Sequence, residues 1–147
     1  ITAGIDMFPE LLEQLYTGNI QRIPQQPNAG CFGKKRYPAN KGYIDFSAVT
    51  EEIGRLVRGL NYLPYANPYL YAKIRHGAKE LIVNEVETDI PAAPAEPGVI
   101  AGIEEDRILI GTGDGLIAIE DAMDEEGNEC NGEALAAYLG VQAGDRI

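Results

Sequence analysis

The sequence has very few of the side chains that most enzymes use for catalysis. Its 147 residues include one histidine, one serine, two cysteines and no tryptophan. His76 precedes a glycine and is expected in a surface turn, whereas Ser47 is expected to cap a helix. Neither residue belongs to a motif typical of a catalytic triad or a general base. We therefore predict that this chain contains no catalytic and no cofactor-binding residue.

Metal ligands are equally scarce. Cys31 and Cys130 lie far apart and form no C-x-x-C motif, and a single histidine cannot complete a zinc or iron site of the usual type. The acidic stretch 121–129 lacks the ligand spacing of a calcium-binding loop, so we predict a solvated loop there. The sequence thus predicts no metal site and two unpaired thiols, as is typical of the reducing cytoplasm.

No apolar run approaches the ~20 residues that a membrane-spanning helix needs. The N-terminus also lacks the basic and apolar regions of a signal peptide. We therefore expect a cytoplasmic protein without a membrane partner. The chain starts at Ile1 without an initiator methionine, so we expect it to be part of a longer protein.

The net charge of −11 is unevenly distributed along the chain. Residues 1–78 contain nine basic and six acidic side chains, whereas residues 79–147 contain three basic and seventeen acidic ones. A segment with a net charge of −14 repels phosphate backbones, because nucleic-acid binding depends on Lys and Arg. The second half is therefore not expected to bind RNA or DNA.

Two helices are predicted in the first half of the chain. Apolar spacing predicts a helix over 7–16, with Asp6 as its N-cap and Gly18 as its stop. Prolines and glycines then predict a linker over 19–41. The clearest helical pattern follows Ser47 and ends at Asn61. Its predicted apolar face consists of Val49, Ile53, Leu56, Val57 and Leu60, and Glu51 is predicted to pair with Arg55 on the opposite face.

The second half is predicted to consist of short strands. They are expected at 70–75, 80–89, 98–103, 107–111 and 115–121, followed by a closing helix at 133–139 that buries Leu135 and Leu139. The glycine-rich Gly111–Gly115 lacks the spacing of a phosphate-binding loop and is followed by strand residues, so it is predicted to be a β-turn. Five short strands at this spacing indicate a small barrel or sandwich.

The order of these features resembles the C-terminal part of the 10-formyltetrahydrofolate-dependent formyltransferases, the family of methionyl-tRNA formyltransferase. The resemblance rests on a leucine-rich helix ending at Gly18, the motif Ile44-Asp-Phe-Ser47, the Glu-Glu-Ile start of the helix at 51–60, Gly111-Thr-Gly-Asp-Gly-Leu116 and Gly144-Asp-Arg146. It implies an α+β fold, mainly β with flanking helices, in which an amphipathic helix precedes a small OB-like open β-barrel.

The resemblance also implies a division into domains and a parent enzyme. Residues 1–18 would be the terminal helix of an upstream catalytic domain, 19–41 a linker and 42–147 the barrel domain. The family's catalytic Asn, His and Asp belong to the upstream domain, and its His-Pro-Ser-type motif is missing here. This chain would be a non-catalytic domain for substrate placement or oligomerisation. Its parent would transfer a formyl group from 10-formyltetrahydrofolate to an amine, with a homodimer as a further candidate assembly.

The acceptor amine is left open by the resemblance. A domain that holds tRNA is expected to present basic surface, so the acidic second half favours a sugar amine, an amino acid or a carrier-bound amine. Two alternatives remain: the C-terminal domain of a methionyl-tRNA formyltransferase, and a stand-alone binding module on the same barrel. Five basic residues are candidates for contact with a substrate or another domain: Lys34, Lys35, Arg36, Arg55 and Arg58.

Overall fold

The structure, a computed structural model, describes residues 2–20, 24, 37–38, 40–91, 93 and 95–147. It separates the chain into two units, Ile1–Arg36 and Tyr37–Ile147, which are described separately. Within the described residues, no helix is both long and apolar enough to cross a membrane.

The described part of the first unit contains one helix, α1 (Thr2–Thr17). The helix was predicted to start after Asp6, but it starts earlier, so Asp6 lies inside the helix and is not its N-cap. Gly18 ends the helix as predicted, with a φ of 68° that favours glycine. The predicted apolar residues Phe8, Leu11, Leu12 and Leu15 remain about half exposed within this unit.

The second unit is an antiparallel sheet with two helices, α2 (Thr50–Leu60) and α3 (Gly132–Leu139). Its strands are β1 (Lys73–His76), β2 (Lys79–Glu87), β3 (Ile100–Ile103), β4 (Ile108–Gly111), β5 (Leu116–Met123) and β6 (Glu129–Cys130). They pair in the order β1-β2-β5-β4-β3, and β6 pairs with the end of β5. The five predicted strands are present. The two-residue strand β6 was missed because it is too short to show an apolar alternation.

The sheet curls into a half-barrel, which confirms the predicted open, OB-like α+β fold. Segments outside the named strands cover both of its edges. Tyr43 bridges to Lys73 beside β1, and Val99 bridges to Arg146 next to β3. These bridges leave fewer unpaired backbone groups, which otherwise invite edge-to-edge association.

Both helices of this unit pack on the sheet through the residues that their periodicity predicts. Ile53 and Val57 of α2 are 2% and 1% exposed, and Leu135 of α3 is fully buried. Val49 was predicted to join this face but is 41% exposed. It has extended backbone angles just before α2 and therefore does not follow the helical period.

The first turn of α2 is capped by a distant residue. The Thr50 backbone N–H and hydroxyl donate to Oδ1 of Asp114 at 2.7 and 2.6 Å. The predicted cap, Ser47, instead donates its hydroxyl to Asp45 at 2.6 Å. The prediction of Ser47 was wrong because a cap is sought among residues adjacent in sequence, whereas Asp114 lies in the β4–β5 turn.

The cap leads to a prediction about stability and pH. We expect Asp114→Ala to lower the urea midpoint of unfolding more than the control Ser47→Ala, because only Asp114 accepts hydrogen bonds from α2. Those bonds lower the pKa of Asp114 below its usual 3.8. The contribution of Asp114 to the free energy of unfolding is therefore complete above the unfolded-state pKa of about 4. It is lost as the pH falls through the lowered native pKa.

The measurement is urea unfolding of wild type and Asp114→Asn between neutral and acidic pH. The stability difference should be constant near neutrality and shrink below about pH 4. A difference that stays the same across this range would show that the carboxylate does not act as the cap.

Candidate functional site

The segment between α2 and β1 forms an exposed, tyrosine-rich loop. Tyr62, Leu63 and Tyr65 are 47%, 55% and 77% exposed. Pro64 and Pro68 prevent the helix from continuing through this segment. The sequence therefore places tyrosine rings on the surface directly after α2, a helix whose apolar face packs on the sheet.

Two asparagines fix this loop. Asn61 donates its amide N–H to the Asn84 carbonyl at 2.8 Å and accepts from the Leu63 N–H at 2.9 Å. Asn67, which is 6% exposed, donates to the Leu60 carbonyl at 2.9 Å and accepts from the Tyr69 N–H at 2.8 Å. The backbone of the loop is thus tied both to the last turn of α2 and to β2.

A trough lies between this loop and the sheet. It consists of three adjoining depressions of about 280, 380 and 220 Å³. The first and second share Asn61, Leu63 and Asn84, and the first and third share Tyr71 and Ile82, so the three are neighbours along β2. The trough is lined by Val57, Arg58, Asn61, Tyr62, Leu63, Pro64, Tyr65, Ala66, Tyr71, Lys73, Glu80, Ile82, Asn84, Glu85, Val86, Met123, Asp124 and Glu125.

Asn84 lies between the first two depressions and belongs to an irregular part of β2. The register of β2 on β5 shifts between Val83 and Glu85 and again before Val86. Such bulges re-aim side chains and are common near binding sites. Asn84 is 7% exposed, and its side-chain amide has no hydrogen-bond partner within the described residues. No fully buried side-chain polar atom there lacks a partner, so this amide must reach the solvent of the trough.

A charged cluster borders one end of the trough. Glu80 accepts hydrogen bonds from the Tyr43 hydroxyl and from Arg75, and its carboxylate lies 3.5 Å from the Lys73 ammonium. The Tyr43 and Arg75 hydrogen bonds lower the pKa of Glu80 to about 2. The bond to Glu80 also raises the pKa of Tyr43. This cluster is internally paired and leaves the neighbouring Glu125 without an ion pair among the described residues.

The candidate contact residues predicted from the sequence are only partly described. Arg55 and Arg58 are exposed on α2 and pair with Glu51 at 3.0 and 3.4 Å, which confirms the predicted Glu51–Arg55 pair. Arg58 also lines the trough, whereas Arg55 does not. The remaining candidates, Lys34, Lys35 and Arg36, lie outside the described residues.

The residues that we considered for other chemistry have local roles. His76 pairs with Lys79 across the two-residue β1–β2 turn. The Cys130 thiol is buried, and burial raises its pKa, whereas Cys31 is not among the described residues. In the acidic stretch, Asp124 is only 9% exposed and accepts hydrogen bonds from the Glu126 and Asn128 amides. The prediction of a solvated loop was therefore wrong for Asp124.

The described residues contain no group of three or more His, Cys, Asp or Glu side chains that could hold a metal ion. The trough itself was not predicted from the sequence. The available signal was the run of tyrosines at 62, 65, 69 and 71 among prolines, which indicates exposed rings but not the sheet face that they border.

Sequence comparisons place the second unit in a known family. The sequence profile described as "Formyl transferase, C-terminal domain" matches residues 37–139. Over 118 residues the chain is 25% identical to methionyl-tRNA formyltransferase from Clostridium novyi, covering 80% of this chain and 36% of that protein. Over 147 residues it is 24% identical to the enzyme of that name from Bdellovibrio bacteriovorus, covering 98% and 44%. The chain thus spans less than half the length of these relatives.

Structure comparison gives a similar fold in a second protein. A crystal structure of HypX from Aquifex aeolicus in complex with tetrahydrofolic acid aligns with 97% of this chain and 24% of HypX. The TM-score is 0.56 and the sequence identity is 19%. A crystal structure of a HypX variant gives the same TM-score and identity. At this identity the likeness shows the fold alone.

The loop that walls the trough allows a prediction about stability. We expect Asn67→Ala to lower the free energy of unfolding by about 1–3 kcal/mol, because it leaves the Leu60 carbonyl and the Tyr69 N–H without their partner. The matched control is Asn131→Ala, which removes an exposed amide without a side-chain capping bond and should change stability by less than about 0.5 kcal/mol. Urea unfolding measures both, and equal changes would contradict the role assigned to Asn67.

Proposed function

The chain belongs to the formyltransferase C-terminal domain family, and we propose that it is the non-catalytic, substrate-placing domain of a formyltransferase. The parent enzyme would transfer a formyl group from 10-formyltetrahydrofolate to an amine other than a tRNA-bound one. In this proposal, residues 1–18 end an upstream catalytic domain, 19–41 form a linker and 42–147 form the barrel domain.

The chemistry of the chain supports a non-catalytic role. Its single histidine lies at the end of β1, its single serine is bonded to Asp45, and its described cysteine is buried. The trough has no general base that is activated by a neighbouring group. Its carboxylates also do not suit the negatively charged folate, so the folate-binding residues would belong to the upstream domain.

The helix of the first unit is consistent with an upstream partner. Phe8, Leu11, Leu12 and Leu15 form an apolar stripe that remains about half exposed within that unit. A helix with such a stripe gains stability when the stripe packs against another apolar surface. We propose the upstream catalytic domain as that surface, with contact between two barrel domains in a homodimer as a further role for this chain.

The negative charge of the barrel is the observation that supports the choice of an acceptor other than tRNA. All three basic residues after position 78 already have partners. Lys79 donates to the Tyr138 carbonyl, Arg107 pairs with Glu87 and Glu104 at 2.8 and 2.7 Å, and Arg146 pairs with Glu96 at 2.6 Å. Burial and the neighbouring Glu87 and Glu85 raise the pKa of Glu120, as expected on a surface crowded with carboxylates. Such a surface favours a neutral or cationic acceptor over a polyanion.

A second candidate function is formylation of an aminoacyl-tRNA. It is favoured by the relatives named methionyl-tRNA formyltransferase, which match nearly the whole chain at 24–25% identity. In that case the exposed cations Arg55 and Arg58, together with the predicted cluster at 34–36, would have to supply the contacts to phosphate.

The absence of catalysis can be tested directly. We expect the purified 147-residue chain to produce no tetrahydrofolate from 10-formyltetrahydrofolate in the presence of sugar amines, amino acids or peptides, because its sequence lacks the His-Pro-Ser-type motif of the family. The positive control is the full-length gene product, which should turn over with one of these acceptors. Turnover by the 147-residue chain alone would contradict the proposal.

Binding of tRNA distinguishes the two acceptor classes. We expect no measurable affinity for methionyl-tRNA at about 200 mM salt and only a shallow dependence on salt at lower concentrations, because residues 79–147 contain three basic and seventeen acidic side chains, and Arg107 and Arg146 are already paired with carboxylates. The affinity of the 147-residue chain is measured by filter binding as salt is raised. Tight binding that falls steeply with salt, and that weakens in Arg55→Gln/Arg58→Gln, would favour the tRNA enzyme instead.

A further inference from the structure

The trough has a polar group at its centre that the fold itself does not use. Asn84 is 7% exposed, and its side-chain amide, which has no hydrogen-bond partner among the described residues, reaches the solvent of the trough. A buried amide without a hydrogen bond is costly, so proteins rarely retain one unless water or a ligand completes it. An asparagine amide offers one acceptor and two donors, which complement the carbonyl and N–H of a peptide group.

The walls of the trough restrict the shape of what can lie in it. The trough is elongated, because its three depressions adjoin one another along β2. Tyr62, Tyr65 and Tyr71 line its central depression, with Ile82 and Met123 on the sheet side. Grooves lined by aromatic rings are the surfaces on which extended, proline-containing peptides dock, since such peptides lose little conformational freedom on binding.

The charged side chains at the two ends of the trough restrict which charges a ligand can have. The trough is lined by two basic and four acidic side chains. Arg58 and Lys73 are engaged by Glu51 and Glu80, and the Asp124 carboxylate accepts hydrogen bonds within its own loop. Glu85 at one end and Glu125 at the other have no ion pair within the described residues. Two such carboxylates attract cations and repel phosphate.

We propose that the trough binds an extended peptide segment of the polyproline type that carries basic side chains, with Asn84 hydrogen-bonded to a peptide group. Glu85 and Glu125 bind the basic side chains, and the tyrosines contact the proline rings. This proposal deepens the substrate-placing role proposed above. It rests on that role only in treating the bound peptide as part of the acceptor substrate. Peptide binding is measured without formyl transfer, so either proposal can fail while the other holds.

The test is fluorescence anisotropy of a labelled peptide with four Pro-Lys repeats, titrated with the 147-residue chain. The matched probes are a peptide with four Pro-Glu repeats and a single-stranded oligonucleotide, dT10. We expect saturable binding of the Pro-Lys peptide, much weaker binding of the Pro-Glu peptide and none of dT10. No saturable binding of the Pro-Lys peptide, or preferential binding of dT10, would overturn the proposal.

Three variants locate the binding site. Asn84→Ala should weaken binding about three- to ten-fold, the usual effect of one hydrogen bond. Glu85→Gln/Glu125→Gln should weaken it and reduce its dependence on salt. The control Asn131→Ala, whose residue lines none of the depressions, should bind as wild type does.

Folding of each variant is checked by circular dichroism, and Asn84→Ala is expected to fold because its amide holds no described partner. Chemical-shift changes on peptide addition should include Tyr62, Tyr65 and Tyr71. Unchanged affinity in folded Asn84→Ala, or shift changes confined to other surfaces, would overturn the proposal.

Discussion

The hydrogen bonds that Asp114 accepts from Thr50 determine how α2 lies on the sheet. They join the turn between β4 and β5 to the first turn of the helix, and the Gly113 N–H adds a bond of 2.9 Å to the Ala48 carbonyl. The helix then supplies Ile53 and Val57 to the core and ends at the loop that walls the trough. The position of the candidate site thus depends on a contact at the opposite end of the helix.

Close backbone contacts on both sides of the β4–β5 turn explain why it is rich in glycine. A Cβ atom at Gly113 would lie 2.4 Å from the Ser47 carbonyl oxygen, and one at Gly111 would lie 2.1 Å from the Glu96 carbonyl oxygen. Only glycine allows backbone to approach backbone this closely. A glycine pattern that superficially resembles a phosphate-binding loop is here the result of packing between chain segments.

The parts of the fold that depend on local pattern could be predicted from the sequence. The period of Ile53 and Val57, the glycine stop at Gly18 and the alternation in the strands each depend on neighbouring residues. The Asp114 cap and the trough depend on residues brought together from distant parts of the chain. No local pattern identifies such a pairing, and the bulge that turns Asn84 towards the trough depends on the register of β2 with β5.

The distant cap also constrains the order in which the domain folds. Thr50 and Asp114 are separated by 64 residues, so the cap is a long-range contact to the turn that joins β4 and β5. Closing so long a loop costs conformational entropy before any contact compensates it, and such non-local contacts slow folding. Early in folding, α2 is an isolated segment of 11 residues, a length at which helices are marginal in water. We therefore expect α2 to be completed late, on a sheet that has already formed.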